Sequence, residues 1–246
     1  MSRGLAIHRT AIVVGLQNHR EADRIVRLLI PENGRISALA RSARSSSKRF
    51  GGTLDIGNRL EVTLRPPRSL EGWWGLEAAT LEDGRAHIRS DLERLSLLAY
   101  CTEVCSKLAR EGHAEPKLFG LLDMTLSLLD AMTSAPTPCF RLGLEAKALT
   151  FAGLCPQMLR CANCEDPLQG PITLNATGAH HRACNSAGPE VSVGWLETVE
   201  QARRTPLRES IDTPMPPGPI WALAEAIESH LGTRLRSRSV LATLSA

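Results

Sequence analysis

The chain has no run of about 18 apolar residues, the length needed to cross a membrane. Its N-terminal stretch, MSRGLAIHRTAIVVGLQNHREADR, also lacks the apolar region and small-residue cleavage site of a secretory signal. Both absences predict a cytoplasmic protein, in which the seven cysteines stay reduced. Clustered cysteines in such a protein indicate metal ligands rather than disulfide partners.

The short motifs of several large enzyme classes are also absent. The sequence has no phosphate-binding GxxxxGKS or GxxxxGKT, no GxSxG and no HExxH. One acidic pair, Glu21 and Asp23, has no other catalytic residue type clustered with it, and a solvated loop or a salt bridge to Arg24 accounts for it better. These absences predict that the protein is not an enzyme, and they favour a binding function.

Acidic residues are missing from one long stretch, Gly34 to Leu54. Residues 1–80 carry 13 basic and 7 acidic residues, whereas residues 81–246 carry 16 and 19. A basic segment rich in arginine predicts contact with the phosphates of a nucleic acid. Five basic residues lie in the acid-free stretch and three more are expected beside it. The candidate DNA-binding residues are therefore Arg20, Arg24, Arg27, Arg35, Arg41, Arg44, Lys48 and Arg49.

Aromatic side chains are few in the same region. Residues 1–80 contain only Phe50, Trp73 and Trp74, and at least one of them is expected in the core. Proteins that bind single strands normally stack bases on aromatic side chains. With so few aromatic residues, binding is expected to depend on charge, to be sensitive to salt and to select weakly among sequences.

The N-terminal 80 residues have the pattern of short strands separated by turns. Alternating or apolar runs cover 11–16, 22–30, 35–40, 58–65 and 73–79, and PENG at 31–34 is a turn between two of them. Five short strands predict an OB-fold barrel. A Greek-key sandwich would give the same pattern, so the strands alone leave that alternative open.

Helical spacing replaces the strand pattern after about residue 83. Helices are expected from Asp91, from Pro116 and across CFRLGLEAKALTFAG, and a last helix, IWALAEAIESHL, ends at Gly232. The sequence thus predicts an α+β protein with an N-terminal OB-fold and a helical domain that carries an inserted zinc-binding segment. The predicted parts are an OB-fold at 1–80, a helical domain at 81–155, a zinc-binding segment at 156–190 and a C-terminal helical part at 191–246.

The predicted zinc-binding segment contains Cys161, Cys164, His181 and Cys184. Two residues separate the members of each pair, which is the spacing of two metal knuckles that complete a tetrahedron. His180 could replace His181, although the spacing favours His181. Two structural cysteines beside an exposed histidine pair would be the simplest alternative.

Four ligands of this type predict a structural Zn²⁺ rather than a catalytic one. A hydrolytic zinc keeps an open position for water, so Glu165, although adjacent in sequence, would have no water to activate. A redox Cys-x2-Cys pair would be expected to open a helix, and ANCEDPLQGP does not have a helical pattern. A zinc hydrolase and a redox protein are therefore disfavoured alternatives.

Nearly the whole chain resembles the RecO family of bacterial DNA repair proteins. The stretches that carry the resemblance, in order, are HREADRIVRLLIPENGRISALARSAR, KRFGGTLDIGNRLEV, DLERLSLLAY, EAKALTFAGLCPQMLRCANC and HLGTRLRSRSVL. Many members have a fourth cysteine where this chain has His181, and their basic loop often carries more consecutive basic residues.

The resemblance implies a non-enzymatic recombination mediator. Such a protein binds single- and double-stranded DNA, anneals complementary strands and acts with RecR to load RecA onto DNA coated by single-strand-binding protein. It implies a cytoplasmic, nucleoid-associated location. An OB-fold RNA-binding module with a structural zinc is the alternative that the residues alone leave open.

Overall fold

The structure is a computed structural model that describes residues 5–45, 47–67, 69 and 72–244, without the side chains of residues 47 and 48. The chain forms two compact units, Met1–Asp130 and Ala131–Ala246. Strands and helices follow one another mostly in separate runs along it, which confirms the predicted α+β class. Among the described residues, no helix combines the length and the apolar character needed to cross a membrane.

A closed barrel of five strands begins the first unit. The strands are β1 (Ile7–His19), β2 (Asp23–Ile30), β3 (Gly34–Ala40), β4 (Arg59–Arg65) and β5 (Trp74–Asp83). Their order around the barrel is β1-β2-β3-β5-β4, and β4 pairs with β1 to close it. The β3–β5 pair is parallel and the other pairs are antiparallel. The closed barrel confirms the predicted OB-type fold and excludes the open sandwich.

The barrel closes because alternate residues of each strand are apolar and point to one interior. On β2, Val26 and Leu28 are fully buried in this core while Arg27 between them is exposed, as a period of two requires. Phe50, from the short helix α1 (Ser47–Phe50), adds its ring to the core. The core consists of Ala11, Val13, Val26, Leu28, Ile30, Ile36, Ala38, Ala40, Phe50, Leu54, Leu60, Val62, Leu64, Leu76 and Ala79.

The turn between β2 and β3 needs a glycine at its end. Gly34 has a φ of +60°, and a Cβ atom there would lie 2.3 Å from the carbonyl oxygens of Arg110 and His113. Only glycine therefore permits both the left-handed backbone and the close approach of the chain at Arg110 and His113.

The rest of the first unit is helical. A 3₁₀ turn at Ile88–Ser90 leads to α2 (Leu92–Leu108) and then α3 (Pro116–Ala131). Helix α2 begins where predicted, because the Asp91 carboxylate accepts a hydrogen bond from the Arg94 amide at 2.8 Å.

The second unit combines four further helices with a small sheet. The helices are α4 (Pro138–Phe151), α5 (Val193–Arg204), α6 (Ala222–Leu231) and α7 (Arg236–Leu244), with a 3₁₀ turn at Leu207–Ser210. The sheet has the order β7-β6-β8 and is built from β6 (Ile172–Asn175), β7 (Gly178–His181) and β8 (Glu190–Val191). Gly232 ends α6 in the left-handed conformation, as predicted.

The helical pattern after residue 190 was incompletely predicted. Helix α5 was not among the helices expected from the sequence, and RSRS, which follows the helix expected to be the last, begins α7. The contacts also group residues 81–130 with the barrel. The division of the chain at residues 80, 155 and 190 stays a prediction.

Candidate metal centre and nucleic-acid interface

The two knuckles bring four metal-binding side chains together. The thiols of Cys161, Cys164 and Cys184 and one ring nitrogen of His181 all lie within 4.8 Å of one another. The Cys164 and Cys184 sulfurs are 3.4 Å and 4.0 Å from His181 Nδ1. A tetrahedral Zn²⁺ with bonds of about 2.0–2.3 Å would hold such atoms about 3.5–3.8 Å apart. The cluster therefore fits a single zinc ion.

Backbone hydrogen bonds around Cys161 stabilise its thiolate form, which is the form that binds a cation. Burial alone would raise the pKa of the Cys161 thiol, but hydrogen bonds from the backbone at Cys164, Asn163 and His181 outweigh it, so the pKa of Cys161 is lowered to about 5. The pKa of Cys184 is raised, by desolvation first and then by the neighbouring Cys164 and Cys161 sulfurs. Three sulfurs this close become thiolates together only around a cation.

The two adjacent histidines point in opposite directions because they alternate along β7. His181 has its Nε2 3.1 Å from the Pro167 carbonyl oxygen, and a hydrogen bond donated there leaves Nδ1 as the ligand atom. His180 is buried, and its Nε2 lies 3.1 Å from Thr177 Oγ1. The geometry therefore selects His181, in agreement with the knuckle spacing.

The predicted DNA-binding arginines mostly surround the β1–β2 turn and the segment after β3. Arg20 is exposed in that turn, Arg27 is exposed on β2, and Arg41, Arg44 and Arg49 are exposed beyond β3. Two of them anchor the loop through backbone oxygens: Arg44 Nη1 donates to Glu21 O at 2.9 Å, and Arg49 Nη2 donates to Arg41 O at 2.9 Å. Within the described part of the chain, no ion pair involves Arg20, Arg24, Arg27, Arg41 or Arg44.

Two of the predicted residues differ from this group. Arg35 donates to Ser106 O at 3.3 Å and lies 3.5 Å from the Glu111 carboxylate, so contacts with the end of α2 and the chain after it hold its side chain. The side chain of Lys48 lies outside the described residues, although its backbone belongs to α1.

A cleft of about 700 Å³ opens between the end of β3 and the loop that joins β4 to β5. Arg41 and Arg49 line it together with Arg65, Trp73 and Trp74. In OB-folds, nucleic acids bind across strands 2 and 3 and between the loops after β1 and β4. Arg65 was not among the predicted residues and Trp73 was assigned no site, because only the closed barrel brings the β4–β5 loop beside the basic segment.

The chain combines a closed five-stranded barrel, which has arginines around a cleft, with a cluster of three cysteines and a histidine. These features define an OB-type protein suited to a polyanionic ligand. The family models for "Recombination protein O N terminal" and "Recombination protein O C terminal" match residues 1–79 and 89–239. The chain therefore belongs to the RecO family of DNA repair proteins.

Relatives of similar length agree with this assignment. The DNA repair protein RecO of Anaeromyxobacter dehalogenans (strain 2CP-C) is 33% identical over 94% of both chains. That of Myxococcus xanthus is 31% identical over 94% of this chain and 95% of its own. That of Geobacter sulfurreducens is 31% identical over 96% of this chain and 97% of its own. Family membership supports a role in DNA repair.

Proposed function

We propose that this protein is a non-enzymatic recombination mediator that binds single- and double-stranded DNA through its barrel. The observation that carries the proposal is that Arg20, Arg27, Arg41 and Arg44 of the barrel are exposed and form no ion pair within the described part of the chain. Arg41 also lines the cleft. Guanidinium groups without carboxylate partners remain available for phosphate oxygens.

Charge of this kind would also favour strand annealing. Two complementary strands repel each other, and a surface that neutralises phosphates on both lowers that repulsion when they meet. Contacts with phosphates do not distinguish one base sequence from another, so the protein would anneal any two complementary strands. We propose that it anneals strands and, with RecR, loads RecA onto DNA coated by single-strand-binding protein, as members of its family are expected to do.

The RNA-binding alternative is less well supported, because family membership supports a role in DNA repair. The same role favours a cytoplasmic, nucleoid-associated location, where the DNA is. Competition between a structured RNA and a DNA oligomer of equal length tests the choice, since an RNA-binding module would prefer the RNA.

We further propose that Cys161, Cys164, His181 and Cys184 hold a structural Zn²⁺. Four protein ligands complete a tetrahedral shell and leave no position for a reacting water. The ion would fix the ends of two loops and the short strand β7, and the chemistry of repair would not pass through it. Glu165 is outside the cluster and carries no role in this proposal.

The test of DNA binding changes Arg41 and Arg49 to alanine together. If both side chains contact phosphates, the variant should bind single strands of every sequence more weakly, and the slope of log affinity against log salt should become shallower by roughly one to two units. Annealing should slow in parallel. Binding of RecR and single-strand-binding protein, measured without DNA, should not change.

A matched control removes two exposed arginines from the second unit, Arg204 and Arg208. It lowers the net charge by the same amount and should leave the salt slope unchanged. An unchanged slope in the Arg41→Ala/Arg49→Ala variant, or an equal change in the control, would contradict the proposed site.

A further inference from the structure

Trp73 is a large apolar side chain that the barrel leaves in solvent. It is 46% exposed, whereas Phe50, another aromatic residue of the same unit, is 2% exposed inside the core. Trp73 lies immediately before β5 and lines the arginine cleft. A tryptophan exposed at a cleft offers a flat surface that packing within the first unit does not require.

The indole of Trp73 contacts one other aromatic ring among the described residues. The rings of Trp73 and His19 meet edge to face, with centroids 5.1 Å apart and planes at 86°. An edge-to-face contact covers at most one face of the indole, so His19 leaves at least one face available for stacking. His19 ends β1, and the contact therefore joins the residue before β5 to the β1–β2 turn.

The surroundings of this face match the two parts of a nucleotide. Arg41 and Arg49 line the same cleft and suit a phosphate backbone, while Trp73 suits the flat face of a base. Arg65 also lines the cleft, but its Nε lies 2.6 Å from the Glu77 carboxylate. A cleft of about 700 Å³ is large enough for a nucleotide unit. A duplex keeps its bases stacked inside, so only a single strand can present a base to the indole.

We propose that Trp73 stacks on a base of single-stranded DNA and that this contact makes the cleft prefer single strands over duplexes. The inference rests on the proposed DNA binding and deepens it, because the arginines alone would bind both forms through their phosphates. From the sequence, DNA binding was expected to depend on charge. Stacking on Trp73 would add a contribution to the binding free energy that does not depend on salt.

The experiment compares an oligothymidylate with an abasic strand of the same length and charge. The native protein should bind the oligothymidylate more tightly, because only that strand has bases to stack. Trp73→Ala should weaken binding of the oligothymidylate by about 5- to 100-fold and leave the abasic strand unchanged. Trp73→Phe, which keeps a stacking face, should retain most of the preference. Leu81→Ala, at an apolar side chain of β5 that is 44% exposed, serves as the matched control and should change neither affinity.

A second measurement does not need the alanine variant to fold. Trp73 fluorescence, taken as the difference between the native protein and Trp73→Phe, should be quenched by the oligothymidylate and not by the abasic strand. Equal affinity of the native protein for both strands, or equal loss for both in Trp73→Ala, would overturn the stacking inference while the proposed function stands. If the native protein bound neither strand, the proposed function itself would fail.

Discussion

Arginines of the barrel and arginines of the second unit have different kinds of partners. In the segment from residue 20 to residue 49, most guanidinium groups are exposed, and the hydrogen bonds of Arg44 and Arg49 go to backbone oxygens. In the second unit, Arg141 pairs with Glu145, Arg203 and Arg204 pair with Glu200, and Arg238 pairs with Glu225 and Glu228.

This difference in partners shows that the number of arginines in a region does not by itself locate a binding surface. A guanidinium already paired with a carboxylate has little to gain from a phosphate, because the new contact replaces an existing one. The uneven charge of the sequence therefore understates the contrast between the two units. The second unit uses Arg141, Arg203, Arg204 and Arg238 to hold helices through carboxylates. Barrel arginines such as Arg59 and Arg65 are also paired with carboxylates, whereas Arg20, Arg41 and Arg44 form no ion pair within the described part of the chain.

The two units also differ in what stabilises their sheets. The barrel encloses an apolar core to which all five strands contribute. The strands of the small sheet have only four, four and two residues. A sheet this small is only marginally stable by itself. A bound metal should therefore contribute to the stability of the small sheet and not to that of the barrel.

The largest expected effect is therefore that of removing a metal ligand. Cys161→Ser should reduce bound zinc from one ion per chain to almost none, and amide exchange should become fast over residues 157–191. Structural zinc contributes about 10 kcal/mol or more of binding free energy, which is also folding free energy. Metal analysis and hydrogen exchange measure the two effects, and exchange in β1–β5 should stay slow.

Matched substitutions separate ligands from neighbours at this site. His181→Gln should lose the metal while His180→Gln keeps it, because only His181 points into the cluster. Cys155→Ser changes a cysteine outside the cluster and should keep full metal content. Protein that is fully folded and contains no metal after purification without chelator would refute the zinc proposal.

The next largest effect should come from the buried ion pair of the second unit. Arg141 and Glu145 are both buried in α4, and Arg141 also stacks over Trp221 at 3.9 Å from the ring centroid. Arg141→Ala should lower the free energy of unfolding of this unit by about 3–5 kcal/mol, because it leaves the Glu145 carboxylate buried without its cation. Urea unfolding monitored by Trp221 fluorescence measures the loss.

A double variant tests whether the loss comes from the unpaired charge. Arg141→Met combined with Glu145→Leu removes both charges and keeps the apolar volume, so it should recover much of the stability. If the double variant were as unstable as Arg141→Ala, packing on Trp221 would be the dominant contribution and the pair would matter little.

Most of the barrel could be predicted from the sequence because its signals are local. Alternation places Ile36, Ala38 and Ala40 on one face of β3, and PENG marks the turn before them. The knuckle ligands are equally local, since the two pairs have fixed spacing. Helix α5 was missed although Ser192 caps its start and Trp195, Leu196, Val199 and Ala202 recur at helical spacing, so its signal was present in the sequence.

The cleft could not be predicted because it depends on contacts that are distant in sequence. Trp73 and Trp74 have the pattern of strand residues, and nothing local places them beside Arg41. The parallel pairing of β5 with β3, which aligns Trp74 with Ala38, makes that neighbourhood. Likewise, the sequence offers no local reason to separate Arg35, held by the end of α2, from Arg41.

Substitution of Arg35 should have a smaller effect, and it tests the difference between this partly buried arginine and the exposed arginines of the barrel. Arg35→Ala should lower stability by about 1 kcal/mol, because it removes a half-buried hydrogen bond to Ser106 and a contact with Glu111. We expect DNA affinity to fall less than in Arg41→Ala. Thermal unfolding and DNA titration of the two variants check this, and a larger affinity loss in Arg35→Ala would place phosphate contacts on β3.

The smallest expected effect concerns a charge pair whose strength depends on pH. Desolvation raises the pKa of Glu200, but hydrogen bonds and charges from Arg203 and Arg204 outweigh it, so the pKa is lowered. A carboxylate with a depressed pKa stabilises the folded state above its unfolded pKa and loses that contribution as pH falls through its folded pKa. Glu200→Gln should therefore cost about 1 kcal/mol or less at pH 7. Its difference from the native protein should shrink as the pH falls below the unfolded pKa of about 4.3 and disappear only below the lowered folded pKa.

Urea unfolding of the second unit at several pH values measures this difference. Glu197→Gln, at an exposed carboxylate on the same helix, is the matched control and should cost less at every pH. The two variants would behave alike if Arg203 and Arg204 were as available to a ligand as the barrel arginines. A cost that is confined to Glu200 and lost in acid would instead show that carboxylates already hold the arginines of the second unit.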